Sequence, residues 1–350
     1  MKKTLMPKRI FRCGLLRTRM KPRHQLVFAA LMILAALSLS SCTKPTVPEK
    51  AEKLRIAIYP DTVSALIYIA KEQGIFKRHG LDVSLEDYQT GVFAVNGLIA
   101  GKADAATATE FVLAIQGFKR QDLRVIAAIS FSDSMEVVAR RDRGIKNPED
   151  LKGKIVGVPK TTIAEFFLNT FLSLRGIFPG EVRMADLKPA DLVSGLTEGK
   201  IDAAACFPPF SDTMKKTLAQ NAISWPIQGG QDYHLVLIIR DELIKNRPLA
   251  VTGLLKGVIE TEDFLRKDED GAQRVAERAL GLDHESIARN WSKTRFRVRL
   301  DQSLLTLLED EGRWAIRNKL VDGQKVPNYL NLLYLDGLEK LKPDAVTVIH

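Results

Sequence analysis

Strand-like and helix-like hydrophobic patterns alternate along this chain from residue 54 onward. Short apolar runs such as LRIAIYP are followed by stretches in which apolar residues recur at helical spacing, and the whole series then returns a second time. Strands that alternate with helices of this length predict βαβ units and parallel sheets, so we expect two α/β lobes in tandem. The predicted elements are strands at 54–60, 82–88, 103–109, 154–162, 181–187 and 201–207, and helices at 64–80, 90–102, 163–178 and 189–200.

A ten-residue repeat marks equivalent positions in the two lobes. Residues 97–106 read GLIAGKADAA and residues 195–204 read GLTEGKIDAA, with seven of the ten letters in agreement. Each glycine before the lysine is expected to end a helix by adopting a positive φ, and each aspartate to precede the next strand. We therefore predict a structural role for the repeat rather than ligand contact.

Three further apolar runs, at 124–130, 135–142 and 233–240, predict strands that cross between the lobes and form a hinge. From residue 247 the pattern is mostly helical, and this tail is expected to pack on the first lobe. The predicted organisation is a leader at 1–41, a tether at 42–53, a first lobe at 54–138 and 235–350, and a second lobe at 139–234.

The positive charge of the chain is concentrated in its leader. Residues 1–41 contain nine of the 52 basic residues and no acidic residue, so the remainder is almost neutral and a nucleic-acid-binding role loses its main support. The apolar run at 26–37 is short for a membrane span, and SLSSC follows it as in a lipoprotein signal. We expect export, cleavage before Cys42 and lipidation of that cysteine, with an ordinary signal peptide as the alternative; Met20 would begin a leader of more usual length.

Candidate binding residues lie where predicted strands lead into helices. In open parallel sheets, ligands bind outside the carboxyl ends of the strands, and two facing lobes would form a cleft lined from both sides. The candidates are hydroxyls, an amide, a lysine, carboxylates and aromatic rings, as in a pocket for a small polar solute. They are Tyr59, Asp61, Thr62, Gln89, Thr90, Thr107, Thr109, Glu110, Lys160, Thr161, Thr162, Phe207 and Pro208.

Each candidate also has a structural interpretation. The threonines are good N-cap residues with or without a ligand, although Thr161 and Thr162 beside Lys160 would favour an anion at a helix start. Glu110 is stabilised at a helix start in any case, and in a cleft it would select a cationic or N–H donor group. The aromatic rings could stack on a flat ligand or simply pack.

Catalytic and metal-binding motifs do not occur in the sequence. It contains no GxSxG, HExxH or Walker loop, and its histidines have no metal-ligand partner at helical spacing, so we expect no catalytic residue, metal or cofactor. Apart from Cys42, Cys206 is the one cysteine after the leader, and we expect it to be a small packed side chain.

Several ordered motifs resemble the substrate-binding proteins of ABC importers for nitrate, sulfonates, taurine and thiamine precursors. The resemblance implies a bilobal type II periplasmic-binding fold with two parallel-sheet lobes joined by a hinge. It covers roughly residues 53–346. The motifs are IAKEQGIFKRHGLDV (69–83), GLIAGKADAA (97–106), LKGKIVGVPKTT (151–162), GLTEGKIDAA (195–204) and VPNYLNLLYLDGLEKLKPDAV (326–346).

The same resemblance implies a monomeric, non-enzymatic receptor. It would capture a small polar organic or anionic solute outside the membrane, either sulfonate-, taurine- or nitrate-like or pyrimidine-like, and deliver it to an ABC permease and its ATPase subunit. A ligand sensor for a separate signalling protein is the alternative, followed by an enzyme on the same fold. The fungal pyrimidine synthase with this fold acts through a cysteine-rich motif, whereas the comparable stretch here, 206–210, holds one cysteine.

Overall fold

The computed structural model describes residues 51–178 and 180–349. The predicted leader, the lipidation of Cys42 and residues 42–50 of the tether lie outside them. The strands of the described residues are β1 Glu52–Ile58, β2 Leu81–Asp87, β3 Ala105–Thr109, β4 Leu123–Ser132, β5 Glu136–Arg140, β6 Ile155–Val158, β7 Arg183–Asp186, β8 Ala203–Cys206, β9 Ala222–Pro226, β10 Tyr233–Arg240 and β11 Thr294–Arg299.

Helices follow most of the strands. The α-helices of the described residues are α1 Ala65–Glu72, α2 Ile75–Arg78, α3 Gly91–Ile99, α4 Glu110–Gln116, α5 Ile163–Ser173, α6 Pro189–Thr197, α7 Phe210–Leu218, α8 Asp241–Asn246, α9 Pro248–Lys267, α10 Glu269–Leu280, α11 His284–Trp291, α12 Gln302–Arg317 and α13 Leu335–Glu339. Short 3₁₀ helices occupy Thr62–Ser64, Arg141–Arg143, Pro148–Leu151, Ala219–Asn221, Tyr329–Leu332 and Pro343–Ala345.

The strands form two sheets, one in each lobe. The first has six strands in the order β11-β4-β10-β3-β1-β2, and the second has five in the order β7-β6-β8-β5-β9. The predicted bilobal α/β fold is confirmed, but the sheets are mixed rather than wholly parallel. Strands β2, β1 and β3 run parallel, as do β7, β6 and β8, whereas β4, β5, β9, β10 and β11 pair antiparallel with their neighbours.

The chain crosses between the sheets twice, at 133–135 and at 227–232. Strand β4 belongs to the first sheet and β5 to the second, and the return places β9 in the second sheet and β10 in the first. Strand β10 lies between β3 and β4 with its interior fully buried, in agreement with the apolar run LVLII at 235–239. The strands expected to form the hinge, β4, β5 and β10, are therefore interior strands of the sheets.

The repeated decapeptides form the same corner in both lobes. Gly101 and Gly199 follow α3 and α6 with φ values of 71° and 77°, a conformation that glycine adopts without strain. One carboxylate oxygen of Asp104 accepts the Arg55 N–H at 2.8 Å, and one of Asp202 accepts the Ile155 N–H at 2.9 Å. Asp104 thus binds the middle of β1 and Asp202 the beginning of β6, which supports the structural interpretation of the repeat.

The C-terminal segment packs on the first lobe. Helix α9 contacts α1, α2 and β2, and α12 packs against α4. The segment is not wholly helical, because Thr294–Arg299 forms edge strand β11 with strictly alternating burial. Within the described residues, no helix has both the length and the apolar composition needed to cross a membrane.

Candidate functional site

A cavity lies between the two lobes at the carboxyl ends of the parallel strands. It encloses about 500 Å³ of space, including open solvent at its mouth, and most of its wall is apolar. Its lining residues are Tyr59, Asp61, Val63, Thr90, Gly91, Val92, Ala108, Thr109, Val112, Met135, Thr162, Ile163, Phe207, Tyr233 and Leu235.

The topology explains why these residues meet. Tyr59 and Asp61 follow β1, Thr109 ends β3 and Phe207 follows β8, so all four lie at carboxyl strand ends. Helix α3 begins directly beside β3, where a Cβ on Gly91 would come within 2.8 Å of the Ala108 Cα. Glycine therefore permits the close approach of this helix to the strand.

Six of the thirteen predicted site residues line this cavity. They are Tyr59, Asp61, Thr90, Thr109, Thr162 and Phe207. Of the other seven, Gln89, Lys160 and Thr161 are exposed, and Thr62, Thr107, Glu110 and Pro208 are buried without lining it. Ligand contact stays a prediction for all thirteen residues.

Tyr233 and Leu235 line the cavity although the sequence pattern did not indicate them. Strand β10 runs antiparallel to β3, with Leu235 opposite Thr109, so the start of β10 lies at the carboxyl edge of the parallel strands. The available signal was Tyr233, which carries a hydroxyl and directly precedes His234 at the start of the strand. Met135 was missed for a related reason, because it lies in the crossing between the lobes.

Thr161 and Thr162 precede α5, and the Thr161 N–H and both hydroxyls already donate to acceptors of the protein. Thr161 has a φ of 55°, its N–H donates to Glu165 Oε2 at 2.8 Å, and its hydroxyl donates to the Lys160 carbonyl at 2.7 Å. The Thr162 hydroxyl donates to the Pro159 carbonyl at 2.7 Å, so it does not cap the helix. Burial raises the pKa of Glu165. The carboxyl group of Glu165 thus already accepts the hydrogen bond of the Thr161 N–H, which we expected to face an anion.

Glu110 is fully buried at the start of α4. Its Oε2 accepts the His234 N–H at 2.9 Å, while its Oε1 has no hydrogen-bond partner among the described residues. Burial raises the pKa of Glu110 to about 8. Glu311 of α12 is equally buried, and burial together with the charge of Glu110 raises the pKa of Glu311 well above its ordinary value. Two carboxyl groups therefore share one interior region of the first lobe.

Asp61 is the carboxylate that lines the cavity, with 1% of its surface exposed. Its Oδ1 accepts the Thr62 N–H at 2.7 Å. Burial is the main cause that raises the pKa of Asp61 to about 7, and the charge of Asp212 adds to it. Near neutral pH, small changes in its surroundings therefore determine whether this group is ionised.

Aromatic contacts join the lobes beside the cavity. The rings of Tyr59 and Phe207 meet edge to face with centroids 5.4 Å apart, and the Tyr59 hydroxyl donates to the Pro208 carbonyl at 2.6 Å. Cys206, just before this contact, is fully buried, and burial raises the pKa of its thiol to about 12. A thiol in this state is a poor nucleophile and a good packing residue. Among the described residues, no cluster of histidine, cysteine and acidic side chains could hold a metal.

Comparison with known proteins places the chain in a family. The family model described as NMT1/THI5 like matches residues 61–272, which is more than half of the chain. The chain belongs to the NMT1/THI5-like family. Its relatives include a Brucella abortus protein described, without a ligand, as a binding protein, with 27% identity over 64% of this chain and 70% of that protein. The taurine-binding periplasmic protein of Escherichia coli K12 is 23% identical over 61% of this chain and 67% of that protein.

Solved structures of similar proteins agree on the fold of this family member. The alkanesulfonate-binding protein of Xanthomonas axonopodis pv. citri, solved with MOPS bound, superposes with a TM-score of 0.69 at 15% identity, covering 81% of this chain and 98% of that chain. A desulfurization enzyme also superposes, with a TM-score of 0.60 at 15% identity, covering 83% of this chain and 98% of that chain. The fold is that of periplasmic binding proteins, and it also carries enzymes, so function must be argued from the cavity.

Proposed function

We propose that this protein is the extracytoplasmic receptor of an ABC importer, which captures a small solute between its lobes and delivers it to a membrane permease. The observation that carries the proposal is the cavity between the two sheets, whose apolar wall holds a few buried polar groups. The names of relatives support it, since one is a taurine-binding periplasmic protein and another a formylaminopyrimidine-binding protein of Halalkalibacterium halodurans.

Attachment to a membrane through a lipid on Cys42 belongs to the same proposal. Its support is the leader, in which an apolar run is followed by SLSSC. A lipid anchor and a polar, proline-containing tether would keep the receptor on the outer face of a membrane, close to its permease. Intact mass measurement of the membrane-extracted protein tests this, because an acylated Cys42 at the N-terminus is expected and an unmodified one contradicts it.

Binding explains the site better than catalysis does. The thiol of Cys206 is buried and its pKa is raised, and the carboxyl group of Glu110 does not line the cavity. Asp61 is the acid that lines it, and it has no histidine, lysine or serine beside it in the cavity wall formed by the described residues. A pocket of this composition can hold and orient a solute.

Filling the cavity with a large side chain should abolish solute binding. Val92 is a half-buried residue of α3 in the cavity wall, and Val193 is a half-buried residue of α6 in the second lobe that does not line it. We expect Val92→Trp to lose, and Val193→Trp to keep, the rise in melting temperature that solutes cause. Binding to the folded state alone stabilises by about 2.7 kcal/mol at 100 times the dissociation constant.

Thermal unfolding of the three proteins against a panel of small sulfonates, amino sulfonates, amines and pyrimidines measures this effect. The proposal expects at least one compound to stabilise the wild type and Val193→Trp but not Val92→Trp. A compound that stabilises all three equally would place the binding site elsewhere.

A further inference from the structure

Among the described residues, the cavity wall contains one carboxyl group and no basic side chain. Among the described residues that line the cavity, Asp61 is ionisable at neutral pH, and none is a lysine, arginine or histidine. Lys160, which the sequence placed beside the site, is exposed and does not line it. A simple anion in this cavity would therefore meet Asp61 without a protein cation to offset the repulsion.

Asp61 has no cationic partner within the described part of the chain. The one hydrogen bond of its carboxylate there is accepted from the Thr62 N–H by Oδ1, and no ion pair forms on either oxygen. The nearby Asp212 is itself an acid, with Lys215 and Arg289 as its own ion-pair partners. Burying a carboxylate without a cationic partner costs free energy. A ligand with a positively charged or proton-donating group would therefore be stabilised beside Asp61.

Three aromatic residues line the same cavity as Asp61, namely Tyr59, Phe207 and Tyr233. The Tyr59 hydroxyl is engaged by the Pro208 carbonyl, and the Tyr233 hydroxyl lies 3.2 Å from the Ser134 hydroxyl. Because both hydroxyls have protein partners, these residues offer a ligand mainly ring surface. Aromatic rings around a carboxylate form the environment that favours organic ammonium groups.

We propose that the cavity selects a small organic cation, whose ammonium group pairs with Asp61 and packs against the rings of Tyr59, Phe207 and Tyr233. The inference rests on the proposed solute-binding function and narrows its ligand class. A zwitterion meets the requirement through its ammonium group, whereas a sulfonate or nitrate without one does not. The start of α5 agrees, since Glu165 already accepts the Thr161 N–H that an anion would use.

Two matched pairs of probes test the role of the positive charge. Choline and 3,3-dimethylbutan-1-ol have almost the same shape and differ in charge, and taurine and isethionate differ by an ammonium group in place of a hydroxyl. Titration calorimetry on the wild type should show that at least one cation-bearing probe binds. The matched probe without the cation should bind at least about 30-fold more weakly. In Asp61→Asn the cation-bearing probe should lose a similar factor, as expected when a buried charge pair loses one partner.

Acid should weaken the binding of choline through Asp61. The charge of choline does not titrate, so as the pH falls below the pKa of about 7 for Asp61 the wild-type affinity should fall toward that of Asp61→Asn, about 30-fold in all, whereas the affinity of Asp61→Asn should stay flat. The other titratable groups around Asp61 are Tyr59, Tyr233 and Asp212, and burial raises the pKa of both tyrosines, which keeps them neutral over this range. Glu311→Gln removes a buried acid that does not line the cavity and should keep the wild-type profile.

Equal binding of the two members of each pair, or no binding by either cation, overturns the cation proposal. The proposed function is judged separately. A sulfonate or other solute that stabilises the wild type and Asp61→Asn alike, and is lost in Val92→Trp, would leave solute capture standing without the cation. Failure of Val92→Trp to affect any ligand would overturn the function itself.

Discussion

The buried carboxyl group of Glu110 lies beside a residue that is far away in the sequence. Glu110 begins α4, directly after residues that line the cavity. Its position in the sequence was the reason to predict that it contacts the ligand. Its burial depends on α12, about two hundred residues later, which brings Glu311 beside it. Neither oxygen of Glu311 has a hydrogen-bond partner among the described residues. Sequence spacing could predict the turn but not the buried acid packed against it.

The Glu110 and Glu311 pair should make stability depend on pH. The folded-state pKa of each is raised above the unfolded value, so the folded protein binds more protons and its free energy of unfolding should fall as pH rises from about 4.5 to about 8. Glu311→Gln should flatten this fall and raise the free energy of unfolding at pH 8 by about 1 kcal/mol or more, since each pKa unit corresponds to about 1.4 kcal/mol. Urea unfolding between pH 5 and 9 measures it.

Glu262→Gln is the matched control, because Glu262 is also a buried glutamate of the C-terminal helices but forms an ion pair with Lys342. It should lower stability across the range. If Glu311→Gln instead lowers the free energy of unfolding at every pH, the folded protein tolerates the ionised carboxyl groups of Glu110 and Glu311, and the prediction is wrong.

Most elements of the two sheets could be predicted from the sequence because their hydrophobic periods are local properties. The predicted strand at 82–88 is Leu81–Asp87 and the predicted helix at 90–102 is Gly91–Ile99. Strand β11 was missed within a tail expected to be mostly helical, although Thr294–Arg299 alternates between buried and exposed. Its pairing partner β4 lies far away in sequence, so only this short alternation could have indicated it.

The corner formed by the repeat should contribute to stability and not to ligand binding. Asp202 accepts the Ile155 N–H at the beginning of β6, away from the cavity at the other ends of the strands. Asp202→Ala leaves that N–H without its partner and should lower the free energy of unfolding by roughly 1–3 kcal/mol, while the affinity for any bound solute stays unchanged. Denaturant unfolding and titration of the same sample measure the two quantities. A loss of affinity at unchanged stability would make the repeat part of the site.

In the whole molecule, several contacts join the two lobes. The Tyr59 hydroxyl donates to the Pro208 carbonyl, and Asn290 of α11 donates to Asp212 of α7 at 3.1 Å. Elsewhere, Phe166 of the second lobe packs between Phe111 and Trp314 of the first, with centroids 6.0 and 5.4 Å apart. The repeat predicted two lobes, but these long-range contacts could not be predicted from local pattern. These contacts join the two lobes through residues that are far apart in the sequence.

A crystal structure of the protein grown with a compound that stabilises it tests the central claim most directly. We expect electron density for that compound between the lobes, in contact with Asp61 and the ring of Phe207 and bounded by Thr90 and Thr162. Density on an outer surface, with the cavity between the sheets empty, would contradict it.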